Sequence, residues 1–172
     1  MEADTIVIRR ATKEDAEAFL ALWNRNFRRG HLKLTATLLR DRADVARFRA
    51  RHSGRNPNEY SFVAFASGTK LVGVCGFSAR ARGRTRHRGE LGWLVDRDYV
   101  GRGIATALLG EVLKEAKKRG FKRVEAEIAV GNPVSIRLAR RFGFRLEGRR
   151  AAGLALDSGR YMDTYLFGKQ LK

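Results

Sequence analysis

At 172 residues the chain is long enough for one domain whose core needs no disulfide or metal support, and a single domain spanning residues 1–172 is expected. Lys and Arg number 36 against 18 Asp and Glu, and the resulting +18 charge draws in anions such as a nucleotide cofactor, nucleic acid or an acidic protein surface. The lone cysteine, Cys75, sits in an alternating apolar run and reads as a buried thiol, which excludes a disulfide framework; no Cys/His metal cluster exists, and no metal is expected.

In chain order, the first ten residues lack the basic segment and apolar stretch of an export signal, and no run approaches membrane-spanning length. A cytoplasmic protein without membrane contact follows. Ile6-Val7-Ile8 reads as a first strand, and Thr12 with Asp15 resembles a capping box that opens a helix with Ala16, Phe19, Leu20, Trp23 and Phe27 on its apolar face. A second, more basic helix is expected over about residues 36–51, broken by the segment 54–58 with its Pro57. Residues 25–55 hold nine Arg and one Lys against Asp41 and Asp44, a net of +8.

Residues 61–66 and 70–77, joined through Ser67-Gly68-Thr69, read as antiparallel strands. Arginine then recurs at every second position (Arg80, Arg82, Arg84, Arg86, Arg88), which on a strand or hairpin aligns the five on one side. Residues 90–95 form the next strand. It runs into Gly101-Arg102-Gly103 and then a helix whose stripe is Ala105, Leu108, Leu109, Val112, Leu113 and Ala116, stopped by Gly120. A strand that passes through glycines into a helix leaves backbone N–H groups unpaired at a positive helix end, where phosphate binds well. A P-loop is excluded by the missing Gly-Lys-Ser/Thr ending, and a dinucleotide fingerprint fails because Thr106 occupies the third glycine position.

Residues 124–130 alternate as a strand, so a strand-helix-strand crossover with parallel flanking strands is implied. Asn132 and Pro133 open a short helix ended by Gly143, residues 144–147 are strand-like, and residues 161–167 suit a closing strand.

Gly103 and Ala105 match the (Arg/Gln)-x-x-Gly-x-(Gly/Ala) signature, and residues 132–144 look like an N-x-x-(A/S)-I-x-L-Y-x-x-x-G-F segment. In these features, and in the ending at residues 159–166, the chain resembles the GCN5-related N-acetyltransferase (GNAT) superfamily. The likeness is to the branch with amine, amino-acid and ribosomal-protein N-terminal acetyltransferases. It implies an α/β fold with a mixed, largely antiparallel sheet splayed between its fourth and fifth strands and flanked by helices.

It also implies acetyl-CoA as co-substrate. The loop Val100, Gly101, Arg102, Gly103, Ile104 and Ala105 would meet its pyrophosphate, Leu94 and Val95 at a bulge would pair with the pantetheine arm, and Asn132 would bond farther along it. Two positions depart from the pattern. Val100 replaces the first signature residue, and Ala139 stands where the family's frequent tyrosine, often the acid for the leaving thiolate, would be.

Transfer to an amine needs a neutral amine, an oxyanion donor and a solvated or protonated thiolate. Glu90 is the first choice of base and Glu127 the second. The Leu94 or Val95 amide is the oxyanion donor by resemblance, and Tyr161 and Tyr165 could replace the missing acid. The first two helices should line the acceptor side, so their positive charge favours a carboxylate- or phosphate-bearing acceptor: an amino acid, a peptide or a ribosomal protein. The rival reading is a catalytically weak module of the same fold that binds RNA or ribosomes through the basic surface. The chain is expected to be a monomer or homodimer.

Overall fold

A computed structural model describes residues 4–30, 42–53, 56–79, 83–156 and 158–172. Its centre is one seven-stranded sheet in the order β1-β2-β3-β4-β5-β7-β6, with β1 Ile6–Arg10, β2 Glu59–Ala66, β3 Lys70–Ser78, β4 Arg88–Val95, β5 Arg123–Ala129, β6 Arg145–Ala155 and β7 Tyr161–Gln170. All neighbours are antiparallel except β4 and β5, the two strands joined by the helical crossover. Those two pair only at Arg88–Arg123, Gly89–Val124 and Glu90–Glu125, and then diverge. The sheet is mixed, mostly antiparallel and open between its fourth and fifth strands.

Alternation along the strands sends side chains to two faces. The larger core lies on one face, where α3 (Ile104–Lys118) lays Ile104, Leu108, Leu109, Val112 and Ala116 against Tyr60, Cys75, Phe77, Leu91 and Val95. Ala139 of α4 (Pro133–Arg141) joins this core. Cys75 is fully buried, and burial pushes its thiol above the ordinary range. On the other face α1 (Ala16–Arg28) packs Leu22, Phe19 and Trp23 against Val63, Leu71, Val74 and Leu94, and α2 (Arg42–Arg51) packs beside it.

The capping box forms: the Thr12 amide donates to Asp15 at 2.8 Å, and Arg9 clamps the same carboxylate at 2.6 Å. Burial works to raise the Asp15 pKa, but the bonds from Arg9 and Thr12 outweigh it and hold the carboxyl below the ordinary range.

Several expectations change. The buried stripe of α1 runs through Ala16, Leu22 and Asn26, while Leu20 and Phe27 are only half-buried. Asn26 is inside because its side chain bridges two backbones, donating to the Leu22 carbonyl at 2.8 Å and accepting from the Arg97 amide at 3.0 Å. Residues 36–41 of the expected second helix lie outside the described residues, as do Arg80 and Arg82. The arginine alternation does not continue as a strand, because Gly83–Thr85 form a 3₁₀ turn. β6 extends eight residues beyond the expected 147, through Ala155, held by its pairing with β7.

No described helix is long and apolar enough to cross a membrane, and no group of three His, Cys, Asp or Glu among the described residues could hold a metal.

Candidate active site

Where β4 and β5 part, a cleft of about 1920 Å³ opens, bounded by β4, β5, α4, the start of α3, and the α1 and α2 walls. Val100, Gly101, Gly103, Ile104, Ala105, Leu94, Val95, Asn132, Glu90 and Glu127 all line it. Arg102, Tyr161 and Tyr165 do not.

The junction before α3 is built for backbone donation. Asp96 caps the 3₁₀ turn Arg97–Tyr99, accepting from the Asp98 amide at 3.2 Å. Gly101 and Gly103 then take φ of 86° and 76°, left-handed values that favour glycine over any residue with a Cβ. The first bond of α3 runs from the Ala107 amide to the Gly103 carbonyl at 3.0 Å. The amides of residues 103–106 are therefore the four that a helix leaves without intrahelical acceptors, and no side chain caps them. Val100 is exposed at the mouth of this loop. Arg102 turns away, its guanidinium 4.6 Å from the Tyr99 ring centre and 3.5 Å from Asp4.

Asp96 is completely buried and also accepts from Nε of Arg25 at 2.7 Å, with Arg29 3.9 Å away. Arg29 pairs with Asp98 at 2.7 Å. Helix α1 is thus bolted to the segment that carries the glycine loop. Two arginines of the basic stretch are spent on this bolt and Arg49 pairs with Glu17, so three of its positive charges meet carboxylates from outside the stretch; Arg47 pairs with Asp44, which the net of +8 already counts.

Beyond Glu90 no strand pairs with the β5-facing edge of β4. The expected bulge at Leu94 and Val95 is absent: the β3–β4 register is unbroken from Val95 to Glu90, and the opening arises from divergence of β4 and β5 instead. The cleft is bridged farther in by Trp93, whose Nε1 donates to Ser135 Oγ of α4 at 3.2 Å. Asn132 caps α4 by accepting from the Ser135 amide at 3.1 Å.

The two carboxylates proposed from sequence differ in their surroundings. Glu127 is engaged, pairing with Arg150 at 2.6 Å and accepting from the Thr164 hydroxyl. Glu90 is exposed to the cleft and makes no hydrogen bond or ion pair among the described residues. Its register neighbour Glu125 is bracketed by Arg123 at 2.8 Å and Arg88 at 3.1 Å. Burial works to raise the Glu125 pKa, but the bonds from Arg123 and Arg88 outweigh it and keep the carboxyl below its ordinary range. The negative charge next to Glu90 is thereby compensated.

The tyrosines stand elsewhere. Tyr161 is 70% exposed, and Tyr165 packs edge-on against Phe167 with ring centres 6.3 Å apart. Ala139 is fully buried in the core.

The second helix lines the acceptor side as expected, but sequence reasoning missed the residues that make its wall. Phe48 stacks on Phe19 at 4.6 Å and on His52 at 4.0 Å. His52 Nδ1 lies 2.8 Å from the Phe48 carbonyl, which can only accept, so Nδ1 carries the hydrogen and Nε2 accepts from the Ser61 hydroxyl at 2.9 Å. Burial lowers the His52 pKa. Nine residues separate His52 from Ser61 and no motif joins them; the i, i+4 spacing of Phe48 and His52 was the one available signal.

Known proteins share this architecture. The chain is 29% identical over 100 residues to the L-amino acid N-acetyltransferase AaaT of Escherichia coli, covering 58% of this chain and 61% of that protein. The match thus spans about three-fifths of the length of this curated relative. The crystal structure of an acetyltransferase of the GNAT family from Streptococcus pneumoniae superposes with a TM-score of 0.85 at 26% identity, covering 97% of this chain and 100% of that one. A phosphinothricin acetyltransferase from Sinorhizobium meliloti in complex with acetyl-CoA superposes with a TM-score of 0.83 at 25% identity, covering 97% of this chain and 89% of that one. Residues 5–145 match the family described as the acetyltransferase (GNAT) domain, and the chain belongs to that family.

Proposed function

We propose that the protein catalyses acetyl-CoA-dependent N-acetylation of a primary amine by direct attack within a ternary complex. The observation that carries this reading is Glu90, a carboxylate without a partner among the described residues, placed in the cleft at the point where β4 and β5 separate. The Gly101–Ala105 segment would bind the pyrophosphate, Leu94, Val95 and Asn132 the pantetheine arm, and the Leu94 or Val95 amide the developing oxyanion.

Through a bridging water Glu90 takes a proton from the ammonium, and the freed lone pair attacks the thioester carbonyl carbon. The C–N bond forms, the nitrogen gives its second proton to water, the oxyanion collapses, and the C–S bond breaks. With Ala139 in place of a phenol, and with Tyr161 and Tyr165 outside the cleft, the thiolate is stabilised by the Ser135 hydroxyl. Trp93 donates to that oxygen and leaves its hydrogen for the sulfur, and water supplies the proton. Arg51 lines the acceptor side, which supports an acceptor bearing carboxylate or phosphate, such as an amino acid, a peptide or a ribosomal protein.

The test is amine-dependent thiol release from acetyl-CoA, with initial rates that intersect as a ternary-complex mechanism requires. Glu90→Gln is expected to lower turnover about 10³-fold, within the usual range for general-base loss, while calorimetry shows unchanged acetyl-CoA affinity. Full activity of that variant across pH 6–9 removes Glu90 from the chemistry.

A further inference from the structure

On the face covered by α1 and α2, the strand register sets three rows of residues across β2, β3 and β4. Glu59, Ser78 and Glu90 make a polar row. Ser61, Gly76 and Gly92 make the next, and Val63, Val74 and Leu94 the third. Rows two residues apart point to the same side, so the floor grades from polar through bare backbone to apolar. All of these residues except Val63 line the cleft. Phe19 and Trp23 of α1, with ring centres 5.8 Å apart, pack against the apolar row.

The bare row ends at a cation. A Cβ placed on Gly76 would lie 3.8 Å from Arg51 Nη2 and 3.1 Å from Ser61 Oγ, whereas one on Gly92 would meet nothing within 4 Å. Arg51 is held there by donation from Nη2 to the Phe77 carbonyl at 3.2 Å, and the neighbouring His52 is fixed between Phe48 and Ser61. The Ser61 hydrogen goes to His52, so the positive group of this seat is Arg51. Gly76 lies one strand over from Glu90 and two residues along, about 4.8 Å by about 6.7 Å, so the place beside Glu90 and the place beside Arg51 are about 8 Å apart. The nitrogen and carboxylate oxygens of an α-amino acid lie about 3 Å apart, so one such molecule spans the two with its hydrogen-bond reach at either end.

Building on the N-acetylation reading with Glu90 as base, we propose that the acceptor is a free α-amino acid with an apolar side chain. Its ammonium stands by Glu90 and its carboxylate lies above Gly76 against Arg51. The side chain covers Val74 and Leu94 beneath Phe19 and Trp23. Three different substituents meet three different rows, so exchanging any two of them puts a charge on the apolar row or an alkyl group on the polar one. The site discriminates enantiomers for that reason. A peptide N-terminus brings a neutral amide to Arg51 and forfeits the ion pair.

The experiment measures thiol release at saturating acetyl-CoA with both enantiomers of leucine, leucine amide, 3-methylbutylamine and a leucine-initiated peptide. One enantiomer of leucine is expected to exceed every other compound in kcat/KM by about 100-fold, the scale of a lost charged hydrogen bond. Arg51→Gln removes the cation and Gly76→Ala fills the seat, and each is expected to shrink the ratio of leucine to 3-methylbutylamine at least about tenfold. Acetyl-CoA affinity by calorimetry confirms that each variant is folded. Equal use of leucine and 3-methylbutylamine, or a preference for the peptide, overturns the amino-acid proposal and leaves N-acetylation standing. Thiol release with none of these amines overturns the amino-acid proposal, and thiol release with no amine of a wider panel that adds polyamines and ribosomal-protein N-terminal peptides overturns the N-acetylation reading itself.

Discussion

The two halves of the cleft are made of different material. On the cofactor side the working groups are backbone: the orphan amides at the start of α3 and the edge of β4 along which β5 no longer runs. On the acceptor side they are side chains from α1, α2, β2 and β4, among them Trp23, Phe48, His52, Ser61 and Glu90. A backbone site tolerates changes of side chain. Val100 can stand at the first signature position, and Arg102 can turn to Tyr99 and Asp4, without removing a donor from the loop. The acceptor half has no such tolerance, because each of its properties belongs to a particular residue. One half can stay constant while the other is altered to take a different amine.

If that division is real, damage to one half should spare the other, except at Asp96, where α1 is fastened to the loop. Asp96→Ala leaves the Arg25 guanidinium without its buried carboxylate and is expected to cost about 3 kcal/mol in urea unfolding. It should also weaken acetyl-CoA binding and raise the amine KM together. A loss confined to one substrate would show that the halves are held separately.

Gly103→Asp acts on the cofactor half alone. It forces a Cβ into φ 76° and sets a carboxylate against the phosphates, and a rise of about 30-fold in acetyl-CoA Kd is expected from the lost amide contacts and the like charge. The thermal shift produced by acetyl-CoA should fall with it, while the amine KM extrapolated to saturating acetyl-CoA stays unchanged. A shift as large as that of the unmodified protein would mean the glycine loop does not hold the phosphates.

The smallest effect belongs to the acceptor half. Burial holds His52 below its ordinary value of 6.5, so the unfolded chain binds more protons than the folded one between the folded value and 6.5. Stability from this group is complete above pH 6.5, falls as pH drops through that window, and levels below it. Arg51 adds to the lowering, and the Phe48 carbonyl, Asp15 and Glu59 oppose it. Urea unfolding of His52→Gln from pH 5 to 8 should show a flatter profile than the unmodified protein; parallel profiles would exclude His52 as the source.

The same division decides what could be read from the sequence. Gly101, Gly103, Gly120 and Asn132 mark backbone events that depend on neighbours one to four residues away, and the strand, loop and helix ends they announce are where they should be. The acceptor wall depends on contacts across the chain. Asn26 is buried because its partner Arg97 stands 71 residues on, which no local apolar period can register, so the stripe of α1 was drawn through Phe27 instead. Glu90 and Glu127 look alike as strand carboxylates. Only Arg150 and Thr164, brought in by β6 and β7, distinguish them. Alternation could not tell which way the closing-strand tyrosines face, and Tyr165 packs with Phe167 rather than reaching the cleft. β6 exceeded its expected length because it is an edge strand whose pairing comes entirely from β7, and residues 148–155, two Arg among Gly, Ala and Leu, carry no alternation to announce it.

The joint between β4 and β5 has a mechanical consequence. Three register pairs at one end are all the strand pairing between two halves of the sheet, and the Trp93–Ser135 bond crosses the gap beyond them, an arrangement with the form of a clothes peg. Glu90 sits at the last of these pairs, on the pivot. Val95, five residues along β4, stands about 17 Å from it at the usual strand rise. A rotation of about 5° about the pivot would carry Val95 some 1.5 Å, on the order of half that per-residue rise, and leave Glu90 nearly still. The jaws can widen for a bulky thioester arm while the proton acceptor keeps its aim.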